Sequence, residues 1–122
     1  MSYRIAVGTS DEVEIDQHFG SSRQFVVYEI SGDGAITRLE ARRNETDGVM
    51  GQHQEDRLRR TAALIEDCGL VLVSHIGPGA VNLLKQMGID AQIGEGPVDA
   101  ALAKLLRFRK RFMGGRQEST EE

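Results

Sequence analysis

Residues 70–74 read Leu-Val-Leu-Val-Ser, apolar at successive positions with no alternation. A strand that is apolar on both faces must be covered on both, which is the situation of a central strand in a parallel sheet. A parallel neighbour in turn requires a long crossover, normally a helix. The following residues supply it. Gly77-Pro78-Gly79 opens a helix, with Pro78 in the first turn where its missing N–H does no harm and Gly88 as the stop. Ile89 to Ile93 then reads as the next strand, and Gly96-Pro97 opens another helix whose buried stripe is Val98, Ala101, Leu102, Leu105 and Phe108.

The N-terminal half has a different rhythm. Tyr3 to Gly8 (YRIAVG) is a short apolar run ending in Gly-Thr-Ser, compatible with a buried first strand. Phe25 to Ile30 and Ile36 to Arg42 flank Ser31-Gly32-Asp33-Gly34, a set of turn formers suited to a hairpin. Asn44 to Gln54 is polar and without periodicity, so a mobile loop is expected there. From Glu55 the period becomes helical: Leu58, Ala62 and Ile65 share a face, the helix is expected to end near Cys68, and Gly69 is placed to cap it. The order strand, strand, strand, helix, strand, helix, strand, helix predicts an α/β fold, a mixed five-stranded sheet with helices on both faces. One domain is expected over residues 1–112, with a flexible tail at 113–122 where the apolar stripe has stopped. At 122 residues the chain can bury roughly two thirds of its unfolded surface, and folding is expected to need no cofactor.

Charge and cysteine usage narrow the function. Fifteen Lys and Arg stand against 19 Asp and Glu, a formal charge of -4, the wrong sign for a general nucleic-acid binder. No apolar run reaches the roughly 18 to 20 residues of a membrane span, and the chain enters its first strand pattern without a signal-peptide layout, so a cytoplasmic location is expected. The single cysteine excludes an internal disulfide, a CxxC pair and a cluster held by four thiolates of one chain. There is no GxxxxGK[ST] loop, no GxSxG elbow and no HExxH, and the first strand lacks the carboxylate that a two-metal nuclease would need. No enzymatic activity is expected.

Strand direction locates the chemistry. If the first strand runs upward, the hairpin returns the chain upward in the third strand, the first helix descends, and the strand at 70–74 rises again. His18, His53 and His75 then all reach the upper edge. Cys68 falls at the opposite edge, where it is expected to be structural. The N-termini of the helices beginning at Pro78 and Pro97 arrive at the histidine edge, and their free N–H groups suit an anion. Solvated loop histidines and plain helix caps are the ordinary roles of such residues. Their convergence points instead to a pocket for a negatively charged ligand that accepts imidazole.

Two segments carry a resemblance. Asp16-Gln17-His18-Phe19-Gly20-Ser21-Ser22-Arg23 after the first strand, and Ile76-Gly77-Pro78-Gly79-Ala80 after the fourth, resemble the dinitrogenase iron–molybdenum cofactor-binding family, in its NifX-like and NifB C-terminal branches, over about residues 3 to 108. The resemblance implies a ribonuclease-H-like three-layer fold, and binding or carriage of iron–molybdenum cofactor or its iron–sulfur precursor during nitrogenase-type cofactor assembly. It also implies cofactor-assembly proteins as partners. His18 matches the family's histidine before Phe-Gly, whereas Ser74-His75 replaces a glycine pair common among relatives, so His75 enters from geometry alone. The cofactor-binding residues expected at this edge are Thr9, Ser10, His18, Phe19, Gly20, Gly77, Gly79 and Gly96, with His18, His75 and His53 as metal ligands. A monomer is expected, with no nucleic-acid or membrane partner. The alternative is a non-catalytic interaction or regulatory module of the same fold that binds a partner protein or a small anion.

Overall fold

The computed structural model describes residues 3–44 and 54–107. The expected domain end near residue 112, the tail at 113–122 and His53 lie outside the described residues. Five strands, β1 (Tyr3–Gly8), β2 (Gln24–Ile30), β3 (Ile36–Arg43), β4 (Leu70–Val73) and β5 (Asp90–Ile93), form one sheet in the order β3-β2-β1-β4-β5. β1 pairs antiparallel with β2 and parallel with β4, β2 pairs antiparallel with β3, and β4 pairs parallel with β5. The mixed sheet is therefore as its sequence pattern predicts. β4 is buried at every position, as its unbroken apolar run demands.

Helices α1 (Gln54–Leu64), α2 (Pro78–Gln86) and α3, described over 98–107, cover the two faces. Ala62 and Ile65, in and just after α1, and Ala80 and Leu84 of α2 join Phe25, Val27, Val71 and Val73 in the core of one face. Val98 and Leu102 of α3 close the other over Ile5, Val7, Val26 and Leu72. Each Val, Leu, Ile or Phe side chain among these contributes about 1.5–3 kcal/mol when fully buried. The chain leaves β1 toward β2 on one side, and after α1 it enters β4 on the other. The upper ends of β1 and β4 thus bracket the point where the winding reverses, where ligands of open α/β sheets tend to bind.

Three local expectations are corrected. α1 stops at Leu64 and is followed by a turn, so Gly69 is not its cap. Instead, a Cβ at Gly69 would lie 2.4 Å from Cε1 of Tyr3: the glycine lets the Tyr3 ring lie against the start of β4. Asn44 is not part of a mobile loop, because it is buried and its Nδ2 donates to Ser22 O (2.9 Å) and Thr61 Oγ1 (3.0 Å). Gln54, expected in the same loop, is the first residue of α1.

The foot of the sheet is tied by charge. Both guanidinium arms of Arg42 donate to Asp67 (2.6 and 2.8 Å), and Arg4 adds a third bond at 2.8 Å. These partners hold the Asp67 carboxyl well below the usual carboxylate range, Arg42 foremost. A depressed native pKa stabilises the fold above the unfolded value of about 3.9, and the gain is lost as pH falls below it. Because the Asp67 side chain is 37% exposed, water screens much of the effect. Asp67→Asn is expected to melt earlier than wild type at pH 7 and to lose less Tm between pH 5 and pH 3, measured by circular dichroism.

Candidate functional site

The geometry of the upper edge begins with a glycine. A Cβ at Gly8, the last residue of β1, would meet Gln17 Cβ and Val73 Cγ1, each at 3.0 Å. Without it, the returning chain passes close over the end of β1, and the N–H groups of Asp16 and Gln17 both donate to Gly8 O (3.3 Å). Gln17 O in turn accepts from Ser74 N (2.9 Å), and Phe19 N donates to His75 O (2.9 Å). His18 and His75 are thereby paired as an isolated parallel bridge that extends β1 and β4 beyond their regular ends. Gly8→Val is expected to cost about 1–3 kcal/mol through overpacking. It should also displace His18 from His75, seen as shifted imidazole resonances in NMR spectra.

The two imidazoles face one another with ring centres 4.2 Å apart and a tilt of 36°. Both residues are exposed. Directly after His18 the chain makes a single 3-10 turn, Phe19–Ser21, and drops Phe19 into the core, fully buried with its ring 5.9 Å from that of Phe25. Phe19 is thus the anchor beneath the site and does not line it. Ser22 Oγ closes the turn by donating to Phe19 O (2.9 Å).

A cleft of about 720 Å³ opens over this pair, lined by His18, Gly20, Ser21, Arg57, Leu58, His75, Ile76, Gly77 and Ile93. Of the expected residues it brings together His18, Gly20, His75 and Gly77. Gly79 lies within the first turn of α2, and among the described residues its N–H and that of Ala80 have no backbone partner; the cap residue Gly77 offers no side chain. That helix end matches expectation.

The end of α3 does not. The loop 9–16 lies across it: Val98 N donates to Val13 O (2.8 Å), Ile15 N donates to Gly96 O (3.0 Å), and Glu14 bridges to Pro97. Gly96, with φ +84°, makes the turn into α3 and stays outside the cleft. Only one of the two expected helix N-termini therefore opens onto the histidines. Thr9 is fully buried, its hydroxyl donating to Glu14 O and accepting from Glu12 N, and Ser10 is tied to Asp16. Both residues shape the loop and neither lines the cleft. Cys68 sits before β4, at the opposite end from His75, buried, its thiol pushed up to about 12 chiefly by desolvation. Cys68→Ala is expected to cost about 1 kcal/mol from the small cavity, and to leave ligand uptake unchanged in a direct titration.

Arg57 was not foreseen. It belongs to α1, half-buried, and among the described residues that line the cleft it is the sole charged one, with no carboxylate beside it. Among the described residues no acidic side chain pairs with its guanidinium, whereas Arg4, Arg38 and Arg42 are all paired. Arg57 thus gives the described wall of the cleft a positive potential. No group of three or more His, Cys, Asp or Glu side chains placed to hold a metal ion is present among the described residues. The histidine pair therefore offers two nitrogen donors on an open wall and does not form a closed structural metal site.

The sequence profile of the dinitrogenase iron-molybdenum cofactor family matches residues 1–107. The chain belongs to this family. It is similar to protein NifX of Azotobacter vinelandii, 32% identical over 111 residues that cover 88% of this chain and 67% of the relative. It is also similar to the FeMo cofactor biosynthesis protein NifB of Herbaspirillum seropedicae, 32% identical over 90 residues, or 74% of this chain and 17% of that one. The chain thus spans about two thirds of the NifX relative and a small part of the NifB relative. Among solved structures, the apo form of the orange protein from Desulfovibrio gigas superposes with a TM-score of 0.64 at 20% identity, covering 87% of this chain and 88% of that one. That likeness concerns the fold. His18 of the DQHFG segment pairs with His75, the residue directly before the IGPGA segment. Among the described residues no helix is long and apolar enough to cross a membrane.

Proposed function

We propose that the protein binds and carries a preformed metal–sulfur cluster, the iron–molybdenum cofactor or its iron–sulfur precursor, during nitrogenase-type cofactor assembly, without catalysis of its own. The observation that carries this reading is the pairing of His18 with His75 at the mouth of a cleft whose described lining residues include Arg57 and no carboxylate. A preformed cluster brings its own sulfides and a net negative charge, so a carrier needs few ligands and several donors aimed at the cluster surface. Two imidazoles supply coordination. The Gly79 and Ala80 N–H groups and the Arg57 guanidinium supply positive potential. Both histidines come from one chain, so a single copy suffices as carrier, and the cytoplasm is the compartment this role implies. The strand order, with β2 antiparallel to its neighbours, also supports the ribonuclease-H-like label for the fold.

The family membership and the NifX and NifB relatives support the cargo class. The test is anaerobic purification from cells that make the cofactor, followed by metal analysis and visible absorbance. Iron with or without molybdenum, bound near one cluster per chain, is the expected result. A colourless, metal-free protein that takes up no cluster in vitro would leave the fold as an interaction module for a partner protein or a small anion.

A further inference from the structure

The side chain of Ser74 stands between a carbonyl oxygen and an imidazole nitrogen, and its single proton decides the chemistry of its neighbour. Ser74 Oγ lies 3.1 Å from Gln17 O and 3.2 Å from His75 Nδ1. A carbonyl oxygen can only accept, so the Oγ–H must point to Gln17 O; otherwise two lone-pair-bearing oxygens would face each other without a proton between them. With that proton committed, Ser74 Oγ can only accept from the imidazole, which requires the hydrogen on Nδ1. We infer that Ser74 is a positioning residue that holds neutral His75 as its Nδ1–H tautomer and leaves the Nε2 lone pair as the donor available to a metal.

The arrangement is the one by which a metal-binding histidine is ordinarily prepared: one ring nitrogen donates to a fixed acceptor, and the other is thereby unprotonated and oriented. Its rigidity comes from the backbone. Ser74 N also donates to Gln17 O, so Gln17 O, Ser74 and the His75 ring form one connected unit at the His18–His75 bridge. That Nε2 then coordinates cargo rests on the carrier reading above; the tautomer does not.

Nitrogen-15 NMR of the metal-free protein at about pH 8, where an ordinary histidine is neutral, reads the tautomer directly. His75 is expected to show a protonated Nδ1 and an unprotonated Nε2. Ser74→Ala should shift it toward the Nε2–H form, and Ser74→Thr, which keeps the hydroxyl, should restore the wild-type pattern. A wild-type His75 protonated on Nε2, or a tautomer indifferent to Ser74→Ala, would overturn the inference. Uptake is then titrated anaerobically with a synthetic dianionic four-iron, four-sulfur thiolate cluster. Ser74→Ala should bind about tenfold more weakly than wild type, the scale of losing an outer partner of a metal ligand, and Ser74→Thr nearly as well. Undiminished uptake by Ser74→Ala would overturn the ligand role of Nε2. If wild type shows the Nδ1–H tautomer but takes up no cluster, the carrier reading fails and the positioning by Ser74 stands.

Discussion

Phe19→Ala is expected to lower the stability of the fold by about 3–5 kcal/mol, the range for removing a fully buried aromatic ring. Against a total of about 5–15 kcal/mol for a domain, that loss brings the variant close to unfolding. The effect follows from where the side chain goes. His18 is exposed, the next residue is fully buried against Phe25, and Phe19 N donates to His75 O, so the ring is the peg that holds the His18–His75 register. Chemical denaturation followed by circular dichroism measures the loss. Phe19→Leu, which refills most of the space, should recover much of the stability and most of any cluster uptake. A Leu variant that folds as well as wild type but binds nothing would instead make the ring a direct contact of the ligand.

Much of this architecture is legible in the residue pattern because its signals are local. The unbroken apolar run of β4 needs cover on both faces, Pro78 and Pro97 mark helix starts, and Gly88 at φ +81° stops α2 where its position suggests. Strand direction alone then carries His18 and His75 to one edge. What escapes the pattern depends on packing across the chain. Gly69 follows a helical stretch and so resembles a cap, yet it is needed for the approach of the Tyr3 ring, a contact 66 residues away in sequence. The loop that seals the start of α3 turns at Glu12, a non-glycine residue at φ +65°, held by Asp11 and Thr9 side chains and by the paired Arg38. Glutamate gives no hint of such a backbone. Arg57 lies in a stretch where only Leu58, Ala62 and Ile65 show periodicity. Which polar residue of α1 overlooks the cleft is decided by how the helix sits on the sheet.

The second large effect concerns the histidines themselves. Replacing both His18 and His75 by alanine should weaken cluster uptake by about a hundredfold or more, since loss of even an outer partner costs about 10–100-fold at metal sites. Stability should change little, because both side chains are exposed. Arg57 and the start of α2 would remain, so the double variant should keep a weak, salt-sensitive association of the kind that charge alone provides. His18→Ala is expected to lose more than His75→Ala, because His18 belongs to the DQHFG segment that carries the family resemblance in the sequence, whereas His75 enters from geometry alone.

The most direct measurement is an anaerobic titration of wild type and the His18→Ala, His75→Ala double variant with the same anionic iron–sulfur cluster, followed by visible absorbance. Saturable uptake near one cluster per chain in wild type, with near-complete loss in a folded double variant, is the result this account predicts. Equal uptake by the two proteins would contradict it.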